Sequence, residues 1–144
     1  MLSITVTNAQ SQLPVDKNRL RRAVRIILED ESIERAKIDV AVVDDLTIAE
    51  LHQRYLNDPE ATDVLSFVLE QTSKYLEGEI VVSADTAAAS APNYNWTAAN
   101  ELLLYVIHGA LHLVGYDDTA TKKRSIMREK EGEYLARFGL HYHI

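Results

Sequence analysis

A chain of 144 residues, 47% hydrophobic and 26% charged, has the size and balance of one globular domain with a real core. The absence of cysteine excludes disulfides, thiolate ligands and thiol nucleophiles together, so any metal must be held by His, Asp or Glu. A net charge of −7 gives no general attraction to nucleic acid, although residues 15–28 and 119–130 each carry a net +4 and leave −15 on the remainder.

Met1-Leu2-Ser3-Ile4-Thr5-Val6 lacks the basic start and long apolar run of a signal peptide, and no apolar run approaches membrane-spanning length. A cytoplasmic protein with no membrane partner is expected. Leu2 to Thr7 alternates and is rich in β-branched residues, which predicts a strand. Asp16 or a neighbour caps a helix over roughly 16–30, with Leu20, Ala23, Val24, Ile27 and Leu28 as its apolar stripe. Glu29-Asp30-Glu31 opposes the helix dipole and predicts fraying there. Ile38 to Val43 reads as a second strand. Asp45 or Thr47 opens a second helix, in which Leu46, Ala49, Leu51 and Tyr55 are expected to face inward.

After a loop over Asn57 to Ala61 come a third strand, Thr62 to Leu69, and a fourth, Gly78 to Ser83. Glu70 to Glu77 is too polar for core and reads as their connection. Ser83 can cap a short alanine-rich helix ending before Pro92, and Pro92 to Asn95 reads as a turn. A helix over about 97–114 follows. A last helix runs over about 119–138, with Met127, Tyr134, Leu135 and Phe138 inward, before a tail from Gly139 to Ile144. Without repeats or linkers, the pattern predicts a single α+β domain over residues 1–144. Its small mixed four-stranded sheet packs with about five helices, and the 97–114 helix lies in the core.

That helix carries the chemistry. His108 and His112 are four residues apart and therefore stack on one helical face, behind the apolar run Leu102 to Ile107. Gly115 supplies the positive φ that ends a helix and reverses the chain, and Asp118 then returns from another direction. His-x3-His-x2-Gly-x2-Asp overlays the zinc peptidase pattern His-Glu-x2-His-x2-Gly-x2-His, with two differences. Gly109 stands where that pattern has its general base, and a carboxylate stands at the third ligand, where zinc also accepts one. The alternative is two core histidines, each hydrogen-bonded to a neighbour.

Together, His108-Gly109-x2-His112-Leu113-x-Gly115-Tyr116-Asp117 and Thr62-Asp63-Val64-Leu65-Ser66-Phe67 resemble the YbeY family of bacterial endoribonucleases and ribosomal RNA maturation factors. The resemblance covers nearly the whole chain. It implies a metal-dependent endoribonuclease directed at single-stranded ribosomal RNA, notably the 3′ end of the small-subunit RNA, acting also in ribosome quality control. It further implies one zinc per chain, held by His108, His112 and the third-ligand position, with the small ribosomal subunit and its proteins as partners.

Two departures bear on activity. The third ligand is Asp118 in place of the family's common histidine, which leaves the ion at a lower net charge and its water less acidic. The family's arginine after the aromatic of the second helix is Leu56 here, following Tyr55, with Arg54 as the neighbouring cation and His52 in place of an asparagine. His108 and Asp117 are the catalytic candidates, and Asp117 could instead orient a histidine. Asp63, Ser66 and Arg54 are the candidates for substrate contact. Glu131, on the inward side of the last helix, is expected to form a structural ion pair. His141 and His143 read as surface histidines, and Trp96 either stacks on a base or staples its helix to the core. Besides the ribonuclease, a zinc peptidase and a ribosome assembly factor with a structural metal remain open.

Overall fold

The structure is a computed structural model that describes residues 1–58 and 62–142. The expected loop residues Pro59, Glu60 and Ala61, and His143 in the tail, lie outside the described residues. Four strands, β1 (Leu2–Asn8), β2 (Ala36–Val43), β3 (Val64–Gln71) and β4 (Leu76–Ser83), form one mixed sheet in the order β1-β2-β4-β3. β1 and β4 each run parallel to β2, and β3 runs antiparallel to β4. Five α-helices surround the sheet: α1 (Lys17–Asp30), α2 (Asp45–Leu56), α3 (Ala84–Ser90), α4 (Ala98–Leu113) and α5 (Thr121–Ala136). The α+β expectation holds.

Strand alternation sorts the core into two clusters. Ile4 and Val6 of β1, Ile38, Val40 and Val42 of β2, and Ile80 and Val82 of β4 join α1, α4 and α5 in the main one. Val43, Leu65 and Val81 join Ile48 of α2 in a small second cluster. α4 packs against α1, α3, α5, β3 and β4, so an apolar surface on nearly every side suits it. Side-chain caps start the helices where short polar residues stand: Asp16 accepts from Arg19 N, Ser83 from Thr86 N, and Thr97 from Asn100 N.

Three expectations change. α2 is capped by Asp44 and buries Ile48, whereas Leu46 (70% exposed) and Tyr55 (59%) face out. The helix covers little more than one cluster of the sheet, so only a narrow stripe needs to be apolar. The polar stretch 70–77 is mostly strand: β3 continues to Gln71, β4 begins at the buried Leu76, and Thr72 to Tyr75 make the turn. The expected turn at Pro92 holds, as a 3-10 turn over Ala91–Tyr94. α1 does not fray at Glu29-Asp30, because Asp30 accepts hydrogen bonds from Tyr134 Oη (2.9 Å) and Arg137 Nη2 (2.5 Å) at the end of α5.

Candidate metal centre

Burial on both sides of α4 aims its histidines. Gly109, between them, faces the sheet: a Cβ there would lie 2.7 Å from Ile80 Cγ2 and 3.2 Å from Val64 Cγ2. A side chain at 109 would separate helix from sheet, so packing selects this glycine, and a glutamate there would point into the core. His108 and His112, roughly 100° and 60° around the helix from Gly109, sit on the adjacent face, half-buried. The helix ends in a Schellman turn: Gly115 N donates to His112 O (3.1 Å), Tyr116 N to Leu111 O (3.0 Å), and Gly115 holds φ +109°. That reversal returns Asp118 to the histidines.

The three donors converge. His108 Nε2 and His112 Nε2 are 3.0 Å apart, His108 Nε2 lies 3.5 Å from Asp118 Oδ2, and His112 Nε2 lies 3.6 Å from Asp118 Oδ1. Two imidazole nitrogens that close need a shared proton or a cation beside them. Zinc bonds of about 2.0–2.1 Å in a tetrahedron set donors roughly 3.3 Å apart, and the observed separations bracket that spacing. Among the described residues, His108, His112 and Asp118 are the group whose donor atoms could hold a metal ion. The donor set and its spacing fit.

Glu131 of α5 fixes His108 from behind. Its Oε2 is 2.5 Å from His108 Nδ1, which makes Nδ1 the protonated nitrogen and leaves the Nε2 lone pair facing the other two donors. Glu131 is only 3% exposed, and its other oxygen accepts from Tyr142 Oη. Burial resists charge on His108, yet the Glu131 hydrogen bond and the charges of Glu131, Asp118 and Asp63 outweigh it and raise the imidazole above its usual value. Burial, then the bond to Glu131, push the Tyr142 phenol above its ordinary range, so it remains a donor.

The orienting carboxylate is therefore Glu131. Asp117 makes other contacts: it accepts from Thr119 N (2.9 Å) and Thr119 Oγ1 (3.0 Å) and lies 3.6 Å from Lys123 Nζ. Those hydrogen bonds from Thr119 hold its carboxyl below the usual range.

The triad opens on a cleft of about 570 Å³ whose lining includes Asp63, Tyr105, His108, Asp118, Arg124 and Arg128. Asp63 is brought to it; Ser66 and Arg54 are not. Ser66 is half-buried in β3 opposite Ile80, and Arg54 lines a shallow surface on α2 with Leu46, Ala49, Glu50 and Gln53. Trp96 takes its structural role, donating from Nε1 to Glu101 Oε1 (2.8 Å) and packing against the main core. His141 is exposed as expected. Its neighbour Tyr142 was missed by sequence reasoning, since only the returning tail brings it to Glu131.

The sequence pattern of the family described as Endoribonuclease YbeY matches residues 5–139. The chain belongs to the YbeY family. An endoribonuclease YbeY from Desulforamulus reducens is 34% identical over 151 residues, covering 96% of this chain and 99% of that protein. One from Salinibacter ruber is 35% identical over 129 residues, covering 84% and 82%. The solution structure of a Thermotoga maritima protein superposes with a TM-score of 0.63 at 27% identity, covering 96% of this chain and 92% of that one. The YbeY assignment thus spans the sheet, α4 with its histidines, and α5 with Glu131. No helix among the described residues is long and apolar enough to cross a membrane.

Proposed function

We propose that this chain, acting as one domain, is a zinc-dependent endoribonuclease of single-stranded ribosomal RNA. Its expected work is maturation of the 3′ end of small-subunit RNA and ribosome quality control, in the cytoplasm and with the small ribosomal subunit as partner. One observation carries the reading: two imidazoles and a carboxylate, 3.0–3.6 Å apart, converge beside an open cleft in a YbeY-family chain.

His108, His112 and Asp118 would hold one zinc, which would supply Lewis acidity toward a phosphoryl oxygen and toward water. The catalytic part of His108 is played through Nε2, because Nδ1–H is committed to Glu131. Tyr142 locks the second oxygen of Glu131 and so prevents the pair from rotating. Asp63 lines the cleft and is the group best sited to accept a proton from an attacking water. Asp117 steadies the turn that presents Asp118, through Thr119 and Lys123. Ser66 and Arg54 carry no role in it.

The test is cleavage of single-stranded RNA, duplex RNA and a peptide library by zinc-loaded protein, beside His112→Ala. The reading requires cutting of single-stranded RNA alone, lost in the variant; uncut RNA, or cleavage that persists without His112, would overturn it. Gly109 disfavours a peptidase, since it supplies no side chain to act as base and a Cβ there would meet Ile80 and Val64. A ribosome assembly factor with a structural metal is favoured by Leu56, 56% exposed where the family resemblance leads one to expect arginine. Co-sedimentation with small subunits that survives His112→Ala, from a wild type that cuts no RNA, would select that reading.

A further inference from the structure

The cleft beside the triad is acidic, which conflicts with a polyanionic substrate. Asp63, Glu101, Asp118 and Glu131 all line it, and the body outside the two basic segments is strongly negative. A dication at the triad offsets two of those four charges. Leu56 contributes none, and Arg54 is not among the lining residues. A single RNA strand therefore needs another source of positive charge inside the cleft.

We infer that α5 supplies it, and that Arg124 and Arg128 bind backbone phosphates of the RNA strand lying across His108, His112 and Asp118. The inference rests on the ribonuclease reading above and adds to it which residues hold the substrate. Arg124, Met127, Arg128 and Glu131 recur at helical spacing, so they form one stripe of α5. Met127 and Glu131 are buried and fix the direction of that stripe toward α4, which leaves the two guanidiniums at the cleft wall. Both line the same cleft as His108 and Asp118.

Their bonding differs from that of three nearby cations, although Lys122 likewise forms no ion pair among the described residues. Lys123 meets Asp117, Lys130 meets Glu133, and Arg137 meets Asp30. Among the described residues neither Arg124 nor Arg128 forms an ion pair with a carboxylate. Arg124 makes only long contacts, Nη1 to Asp118 O at 3.5 Å and Nη2 to Thr121 Oγ1 at 3.3 Å. The first ties it to the backbone of the third candidate ligand, so a phosphate on Arg124 is held next to the triad. Arg128 lies near enough to Tyr142 for its charge to bear on the phenol. The planar fork of arginine suits bidentate phosphate binding without base preference. These cations therefore favour binding of the strand without selecting its sequence.

The experiment measures binding separately from cleavage. Metal-stripped full-length protein is titrated into a fluorescent single-stranded RNA across a salt series, and the zinc-loaded protein is assayed for kcat and KM. Arg124→Ala/Arg128→Ala should weaken binding about tenfold, and flatten the log–log salt dependence by roughly 1.4, at ~0.7 for each phosphate no longer neutralised. KM should rise with zinc content unchanged, and Arg124→Lys/Arg128→Lys should recover part of the affinity. Lys17→Ala/Lys37→Ala, exposed and away from the cleft, removes the same charge and should change binding little. An alanine pair that binds RNA like this control, with an unchanged salt slope, overturns the inference even if wild type cuts RNA. Binding that depends on both arginines in a protein that cuts no RNA overturns the ribonuclease reading and leaves the phosphate assignment standing. A wild type that does not bind RNA overturns both.

Discussion

α4 and α2 are both helices laid on the same sheet, yet they treat their side chains in opposite ways. α4 is enclosed by α1, α3, α5, β3 and β4, so nearly every residue has one permitted direction, and the two histidines inherit that precision. α2 rests on one small cluster through Ile48 and leaves Leu46, Tyr55 and Leu56 in solvent. A donor triad with spacings of 3.0–3.6 Å needs the first kind of helix. Cations that follow a flexible RNA backbone can stand on looser surfaces, and here the cleft-facing ones stand on α5.

The comparison breaks if α2 is as important to the fold as α4. Ile48→Ala, which empties the centre of the second cluster, should lower stability by about 2–5 kcal/mol in denaturant unfolding while metal content per folded molecule stays constant. Equal loss of metal would show that the centre depends on α2. Glu131→Gln keeps the shape of the buried side chain but removes its charge, and should cost about 10–100-fold in zinc affinity. Unaltered affinity would mean that packing alone aims His108.

The pH dependence sharpens the same point. The raised pKa of His108 stabilises the metal-free fold fully at pH below the unfolded histidine value, and that contribution is lost as pH rises through the folded value. Zinc requires the neutral ring, so affinity should change in the opposite sense, falling as pH drops through the same window. Thermal unfolding of metal-free protein and zinc titration across that range check both signs, and Glu131→Gln should move the window down. The smallest effect belongs to the exposed face of α2: Leu46→Ala should alter stability by less than about 0.5 kcal/mol.

What the sequence disclosed followed from local rules. Four-residue spacing put His108 above His112, Gly115 marked the reversal, and Asp16 and Ser83 announced their helices through hydroxyl or carboxylate caps. What it concealed depended on distant partners. The ion pair expected of Glu131 forms, but its partner His108 lies 23 residues away and Tyr142 a further 11 beyond Glu131, so no periodicity could name either one. α2 misled because exposed Leu46 and Tyr55 resemble a core stripe when nothing indicates how little sheet the helix covers. The β3–β4 hairpin misled for the converse reason: residues 68–71 of β3 are exposed, so the strand runs on through Glu70 and Gln71 without an apolar side chain to mark it.

Three side chains, from one helix and the turn after it, are proposed to enclose a single ion. Elemental analysis of purified wild type and Asp118→Ala, normalised to folded protein, tests this most directly. One zinc per wild-type chain and clearly reduced occupancy in Asp118→Ala are expected; undiminished metal in the variant would contradict the assignment of the third ligand.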